Sequence, residues 1–495
     1  MDPSRVRIGC EPRATPVTLP TAGHSHTFDQ MSAPDRSWTV APTLLWFGGF
    51  MLVGLVAIDG GVDALADRMT HRRETEATTA AGPAFTAPPP EVAEVNEEEE
   101  TPAMPVTGSG SADRATGGAL EDTCLDGAPE SCKRWAMDAY YKAVADEKAG
   151  KLGRAVRVSW YGDSVVATDA IPGRLRSKLQ AALGDGGPGW IPLVPPHRFV
   201  GHESITRGSS GNWATHAIST LQAPDGLYGA GGATAEGEDA HATIKLNAGK
   251  ATNLELAYLG QPRGGTITIT ADGKEALRAE TKADAKDAGW ATAKLAEGAA
   301  SFKIEITGRV RTFGLSLENA KGAVVDNMGI VSVNVKSFAN HNAASFAGGL
   351  QHRGADLIMI MIGANEAQWL GPKDQDTKLY QANYEKVLAP IRKARPDATC
   401  LVVSPTDQAE AKDGGYPSRP VMPVLVEAQR KAAHASGCAF FSTYDWMGGK
   451  GSAEKWFRKG YVGTDFQHLT RKGANHFADA IFDALTTGAS RYANR

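Results

Sequence analysis

Basic clusters are missing from this chain of 495 residues, and cysteine and aromatic residues are few. No run of Lys and Arg marks a phosphate-binding surface and no nucleic-acid module is present, so nucleic acid is not expected as a partner. The histidines and carboxylates lack metal-ligand spacing, so no metal centre and no cofactor is expected. Aromatic residues make up 7% of the chain, charged residues 22% and hydrophobic residues 42%. Those proportions exclude a wholly disordered, collagen-like or polytopic membrane protein. The formal charge of −4 conceals a split. Between Glu74 and Glu121 ten acidic residues face one basic residue, Arg114.

What is present sorts into segments. Trp38–Ile58 carries no charge for 21 residues, enough to cross a hydrocarbon core ~30 Å thick as a helix. Ala64-Leu65-Ala66 resembles the small-residue site of a cleavable signal peptide, but the length of the apolar run favours an uncleaved anchor. Residues 1–37 are expected to be a disordered tail. Residues 74–121, rich in Pro, Thr, Ala and Glu with EEEE at 97–100, read as an extended, self-repelling linker. Cys124 and Cys132 bracket a short loop, while Cys400 and Cys438 each precede an apolar run. Two pairs on one side of a membrane suit an oxidising compartment, although Cys400 and Cys438 also read as small buried residues.

From residue 122 the pattern becomes that of a folded protein. Residues 133–149 read as an amphipathic helix. Ala155–Tyr161, Ala355–Ile362, Thr399–Ser404 and Cys438–Ser442 are short continuous apolar runs. Helical patterns lie at 377–394, 421–436 and 472–485, which implies βαβ units and a parallel sheet covered on both faces. Residues 205–322 break this rhythm with short alternating strands and Gly, Asp and Asn turns. They are expected to form an antiparallel β-sandwich inserted in the α/β domain, which takes residues 122–204 and 323–488.

Three short motifs follow or flank the apolar runs. Gly162-Asp163-Ser164 comes directly after the first, where an open α/β sheet exposes residues for chemistry. Gly363-Ala364-Asn365-Glu366 follows the second, and an Asn there can turn an amide N–H towards a developing oxyanion. Asp465-Phe466-Gln467-His468 precedes the last helix, with a carboxylate spaced to orient an imidazole. Each has a plainer reading as a turn, a cap or a surface residue. Trp213, Tyr228, Tyr258 and Trp290 read as core rather than as sugar-stacking residues. His197 and His202 lie near the insert boundary, with a place at the site mouth as the lesser reading, and Glu366 reads equally as a helix start or as a residue that shapes the site.

Taken in order, the motifs resemble the SGNH/GDSL hydrolase family. The resemblance implies a flavodoxin-like three-layer α/β fold and a serine esterase that needs no metal. It assigns Ser164 as nucleophile, His468 as base and Asp465 as its orienting carboxylate. The oxyanion hole falls to the Ser164 N–H, the Gly329 N–H within Asp326-Asn327-Met328-Gly329-Ile330, and Asn365. GDGGPGWIPL (184–193), GANEA (363–367), Met447-Gly448-Gly449 and HLTRKGA (468–474) further resemble the peptidoglycan O-acetylesterase branch. Members of that branch carry a carbohydrate-module-like β-sandwich where this chain has its insert. The expected activity is removal of O-acetyl groups from an envelope glycan, with the catalytic domain in the periplasm and one helix in the inner membrane. Two rivals share these motifs: a polysaccharide O-acetyltransferase and a non-catalytic, membrane-tethered glycan-binding protein.

Overall fold

The computed structural model describes residues 120–493. The membrane span expected at 38–58, and all but the end of the linker, lie outside the described residues. No helix among the described residues is long and apolar enough to cross a membrane.

The chain enters through a two-residue strand, β1 (Leu120–Glu121), and helix α1 (Asp138–Lys148). Strand β2 (Val156–Gly162) then leads into the short helix α2 (Ser164–Ala167) and into α3 (Ala170–Leu183). Nine strands follow: β3 (Gly189–Ile191), β4 (Ile205–Ala217), β5 (Ala233–Leu246), β6 (Ala251–Gly260), β7 (Thr266–Ala271), β8 (Lys274–Glu280), β9 (Asp287–Ala299), β10 (Ser301–Thr307) and β11 (Arg309–Glu318). The α/β pattern resumes with β12 (Ala323–Gly329), α4 (Ala343–Arg353), β13 (Leu357–Met361), α5 (Asp374–Ala394), β14 (Thr399–Val403), α6 (Met422–Ala435) and β15 (Ala439–Phe441). Two short helices, α7 (Thr443–Trp446) and α8 (Ser452–Arg458), precede the last helix, α9 (Arg471–Ala493).

The first sheet runs β1-β15-β14-β13-β2-β12, all parallel except the antiparallel edge strand β1. Its strands read as unbroken apolar runs because both faces are covered, and alternate residues supply different cores. Leu357, Met359 and Met361 join Tyr140, Leu175 and Phe477 from α1, α3 and α9. Ile358 and Ile360 join Leu350, Leu388 and Leu425 from α4, α5 and α6 on the other face. That is a three-layer α/β fold. After β2 the chain continues to β12 on one side, then crosses to β13 on the other. Such a reversal opens a crevice at the carboxyl ends of the strands. Residues following β2 and β13 therefore meet there.

Strands β3–β11 build a single nine-stranded sheet, antiparallel throughout. Strand β5 bonds to β11 through residues 235–238 and to β10 through residues 241–245, so the sheet has two arms. Ile244, Ile269 and Phe302 from one arm share a core with Leu254, Leu256 and Leu315 from the other. The expected sandwich is thus one continuous sheet over a common core. Three boundaries move. Strand β3 brings the insert's sheet back to Gly189, ahead of the expected start at 205, because its residues pair with Leu315–Leu317. Leu120 and Glu121, assigned to the linker, pair with Phe441 and Phe440, which buries Leu120. The last helix runs to Ala493, beyond the expected domain end at 488.

Both cysteine pairs form disulfides, Cys124–Cys132 and Cys400–Cys438. The second follows from register: Leu401 pairs with Ala439 in the parallel ladder, which sets the preceding residues side by side. It closes a segment with a sequence separation of 38. Replacing Cys400 and Cys438 together by alanine is expected to lower stability by about 2–4 kcal/mol, mainly by freeing the unfolded chain. Denaturant unfolding of the double variant checks this, and an unchanged midpoint would contradict it.

Candidate active site

Asp163 opens the site. Its carboxylate accepts the Val165 N–H at 3.0 Å and so caps α2. It also accepts the Ala364 N–H, tying the loop after β2 to the loop after β13. The side chain is buried, and burial pushes its acid up to about 6 despite those two N–H donors and the nearby His468. As the first residue of α2, Ser164 carries an N–H that the helix itself cannot bond.

The imidazole arrives from the far end of the chain. His468 Nε2 lies 2.7 Å from Ser164 Oγ, across 304 residues of sequence. On its other side, Nδ1 lies 2.6 Å from Asp465 Oδ2. The second oxygen, Asp465 Oδ1, accepts the backbone N–H groups of Gln467 and His468, each at 3.0 Å. Partial burial would raise the Asp465 acid, but the His468 hydrogen bond and the two N–H donors outweigh it and hold the group down to about 2. The same hydrogen bond raises His468 above its ordinary value against partial burial. Asp465 is therefore ionised near neutral pH, and with Nδ1–H held by the carboxylate, Nε2 faces the serine hydroxyl as an acceptor. All three expected residues of the relay meet.

The oxyanion donors meet in part. One amide N–H of Asn365 donates to Val333 O at 2.8 Å, which fixes the side chain and leaves its second N–H for a ligand. Gly329 needs correction. Its N–H donates to Asn327 Oδ1 at 2.9 Å, so it is committed and does not serve as a donor in this arrangement. Its smallness has another use. A Cβ at Gly329 would stand 2.3 Å from Ala167 N, so only glycine lets the end of β12 close on the helix that carries Ser164.

Several residues matter more, or differently, than their types suggest. Glu366 is fully buried; its Oε1 accepts the Val335 N–H at 2.7 Å, and burial pushes its acid up to about 7. It pins the segment after β12 beside Asn365, the site-shaping role rather than that of a mere helix start. Gln368 donates to Gln467 Oε1 at 3.1 Å and so joins the Asn365 loop to the His468 loop. His202 is buried beside Asp169 at 3.9 Å, and burial together with Arg176 pushes it down to about 3, which removes it as a proton carrier near neutral pH. His197 is half-buried against the exposed Phe199, with ring centroids 5.2 Å apart. Tyr228 is fully buried, as a core residue should be. Trp213 and Tyr258 are half-buried against the insert's core, whereas Trp290 stacks on His352 with centroids 4.1 Å apart.

The sequence model of the GDSL-like lipase/acylhydrolase family matches residues 307–475, which include Asn365, Asp465 and His468. No curated protein matches the chain significantly. Among solved structures, one described as a peptidoglycan O-acetylesterase in action is 24% identical, with a TM-score of 0.61, covering 71% of this chain and 96% of its own. A salicylyl-acyltransferase from a tetracycline biosynthetic pathway is 14% identical over 57% of this chain and 93% of its own, with a TM-score of 0.26. A family two carbohydrate esterase from Cellvibrio japonicus is 13% identical over 57% of this chain and 99% of its own, with a TM-score of 0.24. Residues 307–475 thus carry the GDSL-like acylhydrolase match, which makes the α/β domain a carboxylic ester hydrolase, and its fold is similar to that of the peptidoglycan O-acetylesterase.

Proposed function

We propose that this protein is a serine esterase that removes O-acetyl groups from an envelope polysaccharide, with peptidoglycan as the substrate. The observation that carries the reading is the unbroken relay Ser164–His468–Asp465, with contacts of 2.7 and 2.6 Å. His468 Nε2 takes the Ser164 proton as Oγ attacks the acetyl carbonyl, and Asp465 steadies the imidazolium. The Ser164 N–H and the second Asn365 N–H receive the oxyanion; a donor of this kind is worth ~10²–10³ in rate. The C–O bond to the sugar breaks, His468 returns the proton to the departing sugar oxygen, and an acetyl-serine remains. Water, deprotonated by the same imidazole, attacks that ester. The Ser164–acetyl bond breaks, Oγ regains the proton and acetate leaves.

The similarity to the peptidoglycan O-acetylesterase supports the choice of glycan. Two disulfides favour an oxidising compartment. With the apolar stretch 38–58, they support a catalytic domain held in the periplasm by one inner-membrane helix. Acetate release from native O-acetylated peptidoglycan, set beside release from acetylated xylan, tests the substrate. Faster release from peptidoglycan is expected; preference for xylan would redirect the assignment to plant-type glycans.

A further inference from the structure

Four residues beyond Asn365 the chain leaves a tryptophan in the open: Trp369 is 54% exposed. Single exposed apolar residues are commonplace, and Leu221 and Leu379 are more exposed still. Trp369 differs from them in how its place is fixed. Its N–H donates to Glu366 O at 3.1 Å, at the end of the turn that begins with Asn365. The residue before it, Gln368, is bonded to Gln467, the neighbour of His468. Lys336 Nζ lies 5.3 Å from the centroid of its ring. Lys336 in turn follows Val335, whose N–H is held by Glu366. The segments 333–336 and 363–369, joined by the Asn365 bond to Val333 O, thus end at the solvent edge in an ammonium placed over an indole ring.

That pairing selects a ligand chemistry. The C–H faces of a pyranose are apolar and flat enough to lie on an indole, while its rim of hydroxyls stays in water. An ammonium at the same ring disfavours a purely apolar guest and matches an anion. We propose that Trp369 and Lys336 form a subsite beside the reacting ester that binds an anionic glycan: the indole stacks on a sugar ring, and the ammonium pairs with a carboxylate on that sugar or its substituent. The inference rests on the reading of the site as a glycan O-acetylesterase and narrows its substrate class.

The test measures kcat/KM for wild type, Trp369→Ala, Trp369→Phe and Lys336→Ala on an aryl acetate, O-acetylated peptidoglycan fragments and neutral acetylated xylo-oligosaccharides. In Trp369→Ala the ratio of peptidoglycan to aryl-acetate kcat/KM is expected to fall about tenfold or more, chiefly through KM, with partial recovery in Trp369→Phe. Lys336→Ala is expected to lower the preference for the carboxylate-bearing glycan over the neutral one and to weaken its salt dependence. A Trp369→Ala ratio within about twofold of wild type, in an enzyme that cleaves peptidoglycan, would overturn the subsite alone. An unchanged charge preference in Lys336→Ala would overturn its anionic half. Wild type that cleaves aryl acetate but neither glycan would overturn the substrate reading and the subsite together.

Discussion

Replacing Ser164 by alanine is expected to lower ester turnover by about 10⁴–10⁶-fold with the fold intact. Loss of the hydroxyl removes the only step in which the acyl group bonds to the protein, so His468 is left without an alcohol to activate. What remains is the background supplied by oriented water and the surviving N–H donors, which act together with the nucleophile rather than in sum with it. The fold has little reason to respond. Ser164 begins a helix whose cap is the Asp163 side chain, and alanine suits the first helical turn. Acetate release under single-turnover conditions measures the rate, and thermal unfolding checks the fold. Turnover within tenfold of wild type, with an unchanged unfolding midpoint, would remove Ser164 from the chemistry.

Asp465→Asn is expected to cost about 10⁴-fold near neutral pH, since an amide at this position can hold the imidazole in the wrong tautomer and gives no charge to the imidazolium. It should also change the shape of the pH profile. His468 acts as a base only when neutral, so activity rises as pH climbs through its value. In the wild type that value lies above the ordinary 6.5, because the Asp465 hydrogen bond favours the protonated ring. Asp465 itself, held down to about 2, stays ionised across the range and adds no inflection near neutrality. The variant loses the interaction that favours protonation, so its inflection moves to lower pH even as the maximum collapses. A pH series of kcat/KM on a small acetate ester separates the two effects. An inflection left in place would show that another group sets the base.

How these residues were recognisable in the sequence depends on what each one does. Ser164 and Asn365 follow apolar runs, and Asp465 and His468 share one turn before a helix, so local pattern makes all four candidates and their order along the chain, through the family resemblance, assigns their roles. Gly329 shows where pattern stops. Whether its N–H is free depends on the rotamer of Asn327 two residues earlier, which closes a bond of 2.9 Å. The glycine is required there by the approach of α2, a contact between segments 162 residues apart. The buried carboxylate of Glu366 and the Gln368–Gln467 link leave no trace in spacing, because their partners come from distant loops.

The same division runs through the fold. Strands β13, β14 and β15 are readable because a sheet covered on both faces demands continuous apolar residues. Strand β4, ITRGSSGNWATHA, is largely exposed and lacks alternation, and β8, KEALRAE, has a composition better suited to a helix. Both exist because a neighbouring strand offers a ladder, a tertiary gain that outweighs local preference. Sequence by itself determined the α/β core and the inserted β region, since these rest on burial and on neighbours along the chain, and it offered nucleophile, base and amide only through the family resemblance of three short motifs. Only the tertiary structure decided which N–H groups are free, which carboxylates are buried, and that Trp369 and Lys336 stand together, since those depend on distances between segments that sequence order leaves open.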